Sequence, residues 1–215
     1  PPAHPPLFLL SCRPRPLQLL SHYVKPVAAC PSPRGTRPAT PPFFSPSGTL
    51  LACFHDCQQC HLIDIASHAD RVVATGYFDR PPAVSEHSLA WSPDSRYLAF
   101  FGNGRLERID VSGGPVQVVC DAPNARGGTW GPDDTILFVP RHFSGVHRVA
   151  ASGGIPVPVT TLDFSQEHYG HAWPSFLPDG RHFVFTALSN RHPGALYVGS
   201  LDNKQVKSLR RSLGR

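Results

Sequence analysis

Apolar residues along this chain recur in short alternating runs, and none of these runs has the length or spacing of an amphipathic helix. From residue 43 onward, one sequence pattern appears four times. It consists of an aromatic residue, any residue, Pro, then either Asp or Ser, and then a turn residue, and an apolar strand follows it. The copies are FSPSGTLLAC (44–53), WSPDSRYLAF (91–100), WGPDDTILFV (130–139) and FLPDGRHFVF (176–185). A second pair of β-forming runs around a tight turn follows each copy. Each repeat therefore predicts four short strands.

Four-stranded units that recur roughly every 40 to 45 residues are typical of β-propeller blades, which bury their faces against one another. We therefore expect an all-β fold, a partial β-propeller of about four four-stranded antiparallel blades. The expected blades span residues 43–75, 86–120, 127–160 and 172–209.

The two ends of the chain differ in composition from the repeats. Residues 1–42 contain twelve prolines, which remove amide donors and disfavour helix interiors, so we expect a Pro-rich irregular linker or disordered lead-in. Residues 210–215 are expected to form a basic tail. Since the chain has no Met, even at position 1, we interpret it as a fragment of a larger protein.

The overall charge excludes some classes of partner. Charged residues are 16% of the chain and the formal net charge of +5 is spread along it, with no basic stripe interleaved with aromatic residues. Nucleic acid is therefore not an expected partner. No apolar run approaches the length of about 20 residues that spans a bilayer, so no membrane span is predicted.

The sequence of the repeats resembles that of a known family. WSPDSRYLAF followed by IDVSGG is similar to the TolB-type, WD40-like propeller repeat of bacterial proteins. HAWPSFLPDGRHFVF and ALYVGSLD look like the C-terminal propeller of some bacterial membrane-bound serine/threonine kinases. The resemblance covers about residues 43–209, and it implies an extracytoplasmic or cell-envelope location and a catalytic domain elsewhere.

A cysteine motif interrupts the first repeat. Cys57, Cys60 and His61 have the C-x-x-C-H spacing of c-type haem attachment. Alignment with the second repeat places CHLIDI in a strand, where holding a macrocycle would disrupt packing, so haem is only a weak alternative. Structural zinc would need Cys53, Cys57 and Cys60 with His55 or His61, and the chain has no second C-x-x-C. No cofactor or metal is predicted.

No motif for catalysis is recognisable. The chain lacks a G-x-S-x-G nucleophile elbow and the kinase motifs, so we do not expect this chain to be an enzyme. Acidic residues recur in the turns, and we interpret them as side chains that cap their own turns rather than as calcium ligands: Asp94, Asp133, Asp134 and Asp179.

The strand assignment predicts two unlike faces. The SPDG-type and SGG turns should lie on one face, and the longer connections, which carry most of the ionisable loop residues, should lie on the other. Candidate binding residues just before the first strand of successive blades are Glu86, Arg126 and His171. Candidates farther from the axis are Arg141, His142, Arg191 and His192.

We consider three functions. The first is a non-catalytic sensor or scaffold propeller that binds a protein, peptide or envelope component at the loop-rich face. The second is an accessory propeller that gates substrate for a hydrolase or peptidase, or a TolB-like envelope protein. The third and weakest is the haem protein. The sequence does not predict an oligomeric state.

Overall fold

The computed structural model describes residues 43–55, 59–76, 89–191, 194–203 and 205–209. The predictions for residues 1–42 and 210–215 lie outside these residues. The described part of the chain forms β-strands, with one 3-10 helix of a single turn at Phe164–Gln166. In this part no helix is long or apolar enough to cross a bilayer.

Sixteen strands within the described residues form four sheets, which correspond to the four repeats. Blade 1 comprises β1 (Phe43–Phe44), β2 (Leu50–His55), β3 (Gln59–Asp64) and β4 (Asp70–Thr75). Blade 2 comprises β5 (Leu89–Trp91), β6 (Tyr97–Gly102), β7 (Arg105–Asp110) and β8 (Gln117–Asp121). Blade 3 comprises β9 (Gly128–Trp130), β10 (Thr135–Phe138), β11 (His147–Ala150) and β12 (Val157–Pro158). Blade 4 comprises β13 (His168–Phe176), β14 (His182–Ser189), β15 (Ala195–Ser200) and β16 (Val206–Ser208).

Every sheet is an antiparallel meander in which strands pair in chain order. The first strands of neighbouring blades lie side by side, since β9 contacts both β5 and β13. This arrangement confirms the predicted all-β fold and the partial propeller of four-stranded antiparallel blades.

Blade packing explains why the second strand of each repeat is apolar at nearly every position. In β6, Leu98 and Phe100 pack toward blade 1, whereas Ala99 and Phe101 pack toward blade 3. Successive side chains of a strand point to opposite faces, so a strand between two other blades needs apolar residues on both. In blade 3, Leu137 packs toward blade 4 with the fully buried rings of Phe183 and Phe185.

The predicted capping of turns by acidic residues is seen at Asp94 and Asp179, whereas the Asp134 carboxylate accepts from the Trp130 indole at 3.3 Å. Asp94 Oδ1 accepts hydrogen bonds from the Arg96 amide (3.0 Å) and the Ser92 hydroxyl (2.6 Å). Asp179 Oδ1 accepts from the amides of Arg181 (3.0 Å) and His182 (2.9 Å). These bonds to the ionised carboxylate lower the pKa of Asp179 to about 2. Carboxylates thus stabilise these turns.

The start of blade 4 differs from the expected boundary at residue 172. Strand β13 already begins at His168, and its pairing with β14 shifts register between Ala172 and Ser175. Within this irregularity Trp173 has φ of 52°, in the left-handed region. Pro174 follows it and disfavours the right-handed helical conformation at residue 173. The longer strand brings residues 168–171 into the sheet.

Candidate functional site on the loop face

The two ends of the propeller carry different connections. We define the turn face as the end with the turns between first and second and between third and fourth strands. Its described residues are 45–49, 65–69, 92–96, 111–116, 131–134, 151–156, 177–181 and 201–203. We define the loop face as the opposite end, whose described residues include 103–104, 122–127, 139–146, 159–167 and 190–191.

Two of the predicted binding residues meet on the loop face. Arg126 lies just before β9, and its guanidinium Nη2 contacts Nδ1 of His142, which lies between β10 and β11. The backbone of Arg126 is fixed on both sides, since its amide donates to Val139 O (2.9 Å) and its carbonyl accepts from the Trp173 amide (2.8 Å). Segments of blades 3 and 4 thus hold the Arg126 backbone, and the half-buried side chain contacts His142 of blade 3.

Three rings surround this contact. The imidazole of His142 stacks on Tyr169, with centroids 5.6 Å apart and an interplanar angle of 16°. Phe143 meets His142 edge-on at 4.7 Å and lies 6.1 Å from Tyr169. Phe143 is 71% exposed. We call Arg126, His142, Phe143 and Tyr169 the loop-face cluster.

Strand β13 holds the cluster in place from blade 4. The His171 amide donates to Ser144 O at 2.9 Å, so the beginning of β13 lies along the loop that carries His142 and Phe143. Gly170 allows this approach, because a Cβ at that position would collide with the His142 carbonyl. The loop that carries His142 and Phe143 is therefore fixed by hydrogen bonding to the backbone of β13.

The electrostatics of the cluster are set by arginines. Burial, and then the charge of Arg126, lower the pKa of His142 below 6.5. Burial also lowers the pKa of His147, and the charge of Arg141 contributes. His142 is therefore neutral at pH 7, and its ring nitrogen accepts a hydrogen bond from the guanidinium.

His171 does not lie in an exposed connection, and that expectation is wrong. It lies within β13 and is only 2% exposed. Its Nδ1 contacts the Thr160 hydroxyl at 2.8 Å, and its ring packs 4.5 Å from Phe185. Burial, with a smaller contribution from the charge of His168, lowers the pKa of His171 to about 4. His171 therefore supports the loop face from below.

The remaining predicted binding residues are not part of the loop-face cluster. Arg141 is exposed beside the cluster. Arg191 lies on the same face, where its Nη1 pairs with Glu167 Oε1 at 3.0 Å. Glu86 and His192 lie outside the described residues. Sequence reasoning missed Phe143 and Tyr169, because an aromatic residue in a loop or at a strand end carries no distinctive pattern.

The described residues of the cysteine motif, Cys60 and His61, lie on opposite faces of one strand. Cys60 is fully buried between blades 1 and 2, and burial raises its pKa to about 12. His61 lies on the other face of β3, where its ring nitrogens contact Asp70 (2.9 Å) and Gln59 (3.3 Å). Neighbouring strand residues that point apart cannot both reach one haem. Cys57 is outside the described residues, and no group of three metal-ligating side chains occurs within them.

Comparisons with known proteins identify the fold. No protein-family model matches the chain, and no curated protein matches its sequence. Among solved structures it is similar to TolB from Acinetobacter baumannii, with a TM-score of 0.62, 15% identity and coverage of 80% of this chain and 43% of that one. It is also similar to the β-propeller domain of Cps50 (Swd1) from Myceliophteria thermophila, with a TM-score of 0.61, 15% identity and coverage of 78% and 53%.

An oligogalacturonate lyase in complex with manganese is similar too, with a TM-score of 0.60, 16% identity and coverage of 78% of this chain and 52% of that one. The chain thus spans about half the length of these structures. At these identities the similarity shows the fold alone, and it confirms the resemblance to TolB-like and WD40-like propellers.

Proposed function

We propose that this TolB-like, WD40-like propeller is a non-catalytic binding module that holds a protein, peptide or envelope component on its loop face. The observation that carries the proposal is the loop-face cluster, in which a half-buried arginine and three mutually packed rings come together from blades 3 and 4. Binding surfaces are commonly built this way, with aromatic and arginine anchors displayed by a rigid scaffold.

The exposure of Phe143 supports a binding role over a purely structural one. Its ring lies against His142 and Tyr169 but remains largely in water, so its burial on folding is far from complete. A partner that covered this ring would gain apolar burial and pay little reorganisation, because β13 already fixes the loop beneath it. The cluster is thus pre-organised for binding.

The same proposal places the propeller in a larger bacterial protein, of which a membrane-bound serine/threonine kinase is the example that its sequence resembles. The support is the phrase HAWPSFLPDGRHFVF, which runs from His171 through the turn at Asp179 to Phe185. In this arrangement the propeller acts as an extracytoplasmic sensor or scaffold, and any chemistry belongs to another domain.

Selection from a random dodecapeptide display library, with the full chain as bait, tests the proposal. Peptides that bind the wild-type protein are re-measured on Phe143→Ser and on Ile155→Ser. Ile155 is the matched control, since it is an apolar residue 90% exposed on the turn face. We expect Phe143→Ser to weaken binding about tenfold, the effect of losing about 1.4 kcal/mol of contact.

We expect Ile155→Ser to leave the same affinities unchanged within about twofold, which corresponds to a negligible change in contact energy. Recovery of no binding peptide, or of peptides that respond to Ile155→Ser but not to Phe143→Ser, would contradict a binding role for the loop face.

A further inference from the structure

Resting on the proposed function, we propose that the loop-face cluster recognises a carboxylate, and that its partner is an acidic peptide segment with an apolar side chain next to the acidic residue. Arg126 receives the carboxylate, while Phe143, packed against His142 and Tyr169, covers the apolar neighbour.

The first observation is that Arg126 has no acidic partner among the described residues. The ion pairs within this part of the chain join His61 to Asp70, Arg181 to Asp202, His182 to Asp179 and Arg191 to Glu167. The Arg126 side chain instead contacts the neutral imidazole of His142. Within the described residues, this half-buried guanidinium is therefore paired with a neutral side chain rather than an acid, and a guanidinium has five N–H donors.

The second observation is that the cluster and the loop that carries it each contain an arginine whose charge acts on a neighbouring histidine. The charges of Arg126 and Arg141 each contribute to lowering the pKa of a nearby histidine, His142 and His147 respectively. A planar guanidinium can bind a carboxylate through two parallel hydrogen bonds, which are among the strongest that proteins make. The charge and the donor geometry therefore both favour a carboxylate.

The third observation concerns the apolar side of the cluster. Phe143 offers an exposed ring face directly beside the guanidinium contact, and Tyr169 lies under the His142 ring. An aliphatic or aromatic side chain adjacent to the ligand carboxylate would lie against Phe143 while the carboxylate reached Arg126. This combination selects an acidic residue with an apolar neighbour rather than an isolated anion.

An extended polyanion fits the same face less well. Asp121, Asp163 and Glu167 lie at the strand ends or connections of the loop face, and they would repel successive phosphates of RNA or DNA. A single carboxylate bound by Arg126 need not extend to those acids. The described charges therefore favour a peptide over a nucleic acid.

Sequences enriched from the dodecapeptide library test this inference. We expect enrichment of Asp or Glu next to Phe, Tyr, Leu or Ile. In synthetic copies, replacing the acidic residue by its amide should weaken binding about tenfold or more, the typical cost of losing a charge-assisted pair. On the protein side, Arg126→Gln should cause the same loss, whereas Arg148→Gln should not. Arg148 is exposed on the outside of β11 and is the matched control.

The outcomes separate this inference from the broader proposal. Neutral or basic peptides that bind in a Phe143-dependent way would overturn the carboxylate inference and leave the loop face as a binding surface. Failure of all peptides would overturn both. Tighter binding of a fluorescent dodecauridylate than of any acidic peptide, lost on Arg126→Gln, would also overturn the peptide assignment, because the occupant would then be a nucleic acid.

Discussion

The turn face and the loop face differ in how most of their polar side chains are used. On the turn face, carboxylates bond to the backbone of their own turn, as Asp94 and Asp179 do. On the loop face, polar and aromatic side chains bond to residues far away in sequence, as Arg126 does to His142 and Arg191 to Glu167. The carboxylate bonds recur in the equivalent turns of blades 2 and 4, and serine hydroxyls bond within the corresponding turn of blade 1. The loop-face contacts occur once each, which is what a surface adapted to one partner requires.

The largest expected effect on stability is in the buried core between blades 3 and 4, which lies between the turn face and the loop face. Phe185 is fully buried between blades 3 and 4 and packs on His171, Phe183 and Tyr197. Truncation by Phe185→Ala should lower the free energy of unfolding by about 3 to 5 kcal/mol. Leu196→Ala, at a 46% exposed position of the same sheet, is the control and should cost much less. Urea denaturation measures both, and equal losses would show that blade 4 is not packed as described.

The pH dependence of stability tests whether His171 is buried beneath the loop face. The pKa of His171 falls from 6.5 to about 4 on folding, so between these pH values the unfolded chain binds a proton that the folded chain does not. Stability should therefore be highest above pH 6.5 and should fall as the pH is lowered, by about 3 kcal/mol when pH 4 is passed. His171→Gln should flatten this dependence in urea titrations. An unchanged pH profile in that variant would indicate that His171 is not the group responsible.

Two glycines on the turn face test whether the turns of neighbouring blades are in tight contact. Gly48 and Gly180 occupy equivalent turns with φ of 71° and 67°. A Cβ at residue 48 meets nothing within 4 Å, whereas a Cβ at residue 180 collides with the ring of Pro132 in the neighbouring blade. Gly48→Ala should cost about 1 kcal/mol for the left-handed backbone, and Gly180→Ala about 1 to 3 kcal/mol more for the clash. Thermal unfolding that gave equal losses would exclude a tight contact between these turns.

The smallest stability effect is expected at the loop-face cluster itself. Phe143→Ser removes a largely exposed ring, so the free energy of unfolding should change by no more than about 0.5 kcal/mol. Urea denaturation of this variant checks the point. A loss of 2 kcal/mol or more would mean that Phe143 is a structural residue, and its effect on peptide binding could no longer be assigned to contact with a partner.

The blades were predictable because the same physical demand recurs in each repeat. A Pro and a turn residue followed by an apolar run specify a hairpin, and the continuous apolar runs of β6 and β10 follow from burial on both faces. Sequence reasoning also assigned Arg126 and His142 to one face, because alternating strands fix which connections share an end. Strand direction alone was sufficient for that step.

The depth of side chains below the loop face was not predictable in the same way. His171 was expected in a connection, but the irregular pairing of β13 extends the strand to His168 and buries His171. The left-handed Trp173 that accompanies this irregularity bonds to Arg126 O. Such register shifts depend on contacts between blades, and no pattern within one repeat specifies them.

Hydrogen exchange with and without the tightest-binding selected dodecapeptide tests the central claim most directly, because it compares the two faces in one experiment. We expect slower exchange on binding at amides of residues 124–127, 141–145 and 168–171, which surround the loop-face cluster. We expect no change in the turns at residues 92–96, 131–134 and 177–181. Protection confined to those turns, with unchanged exchange around Arg126 and His142, would contradict the assignment of the loop face as the binding surface.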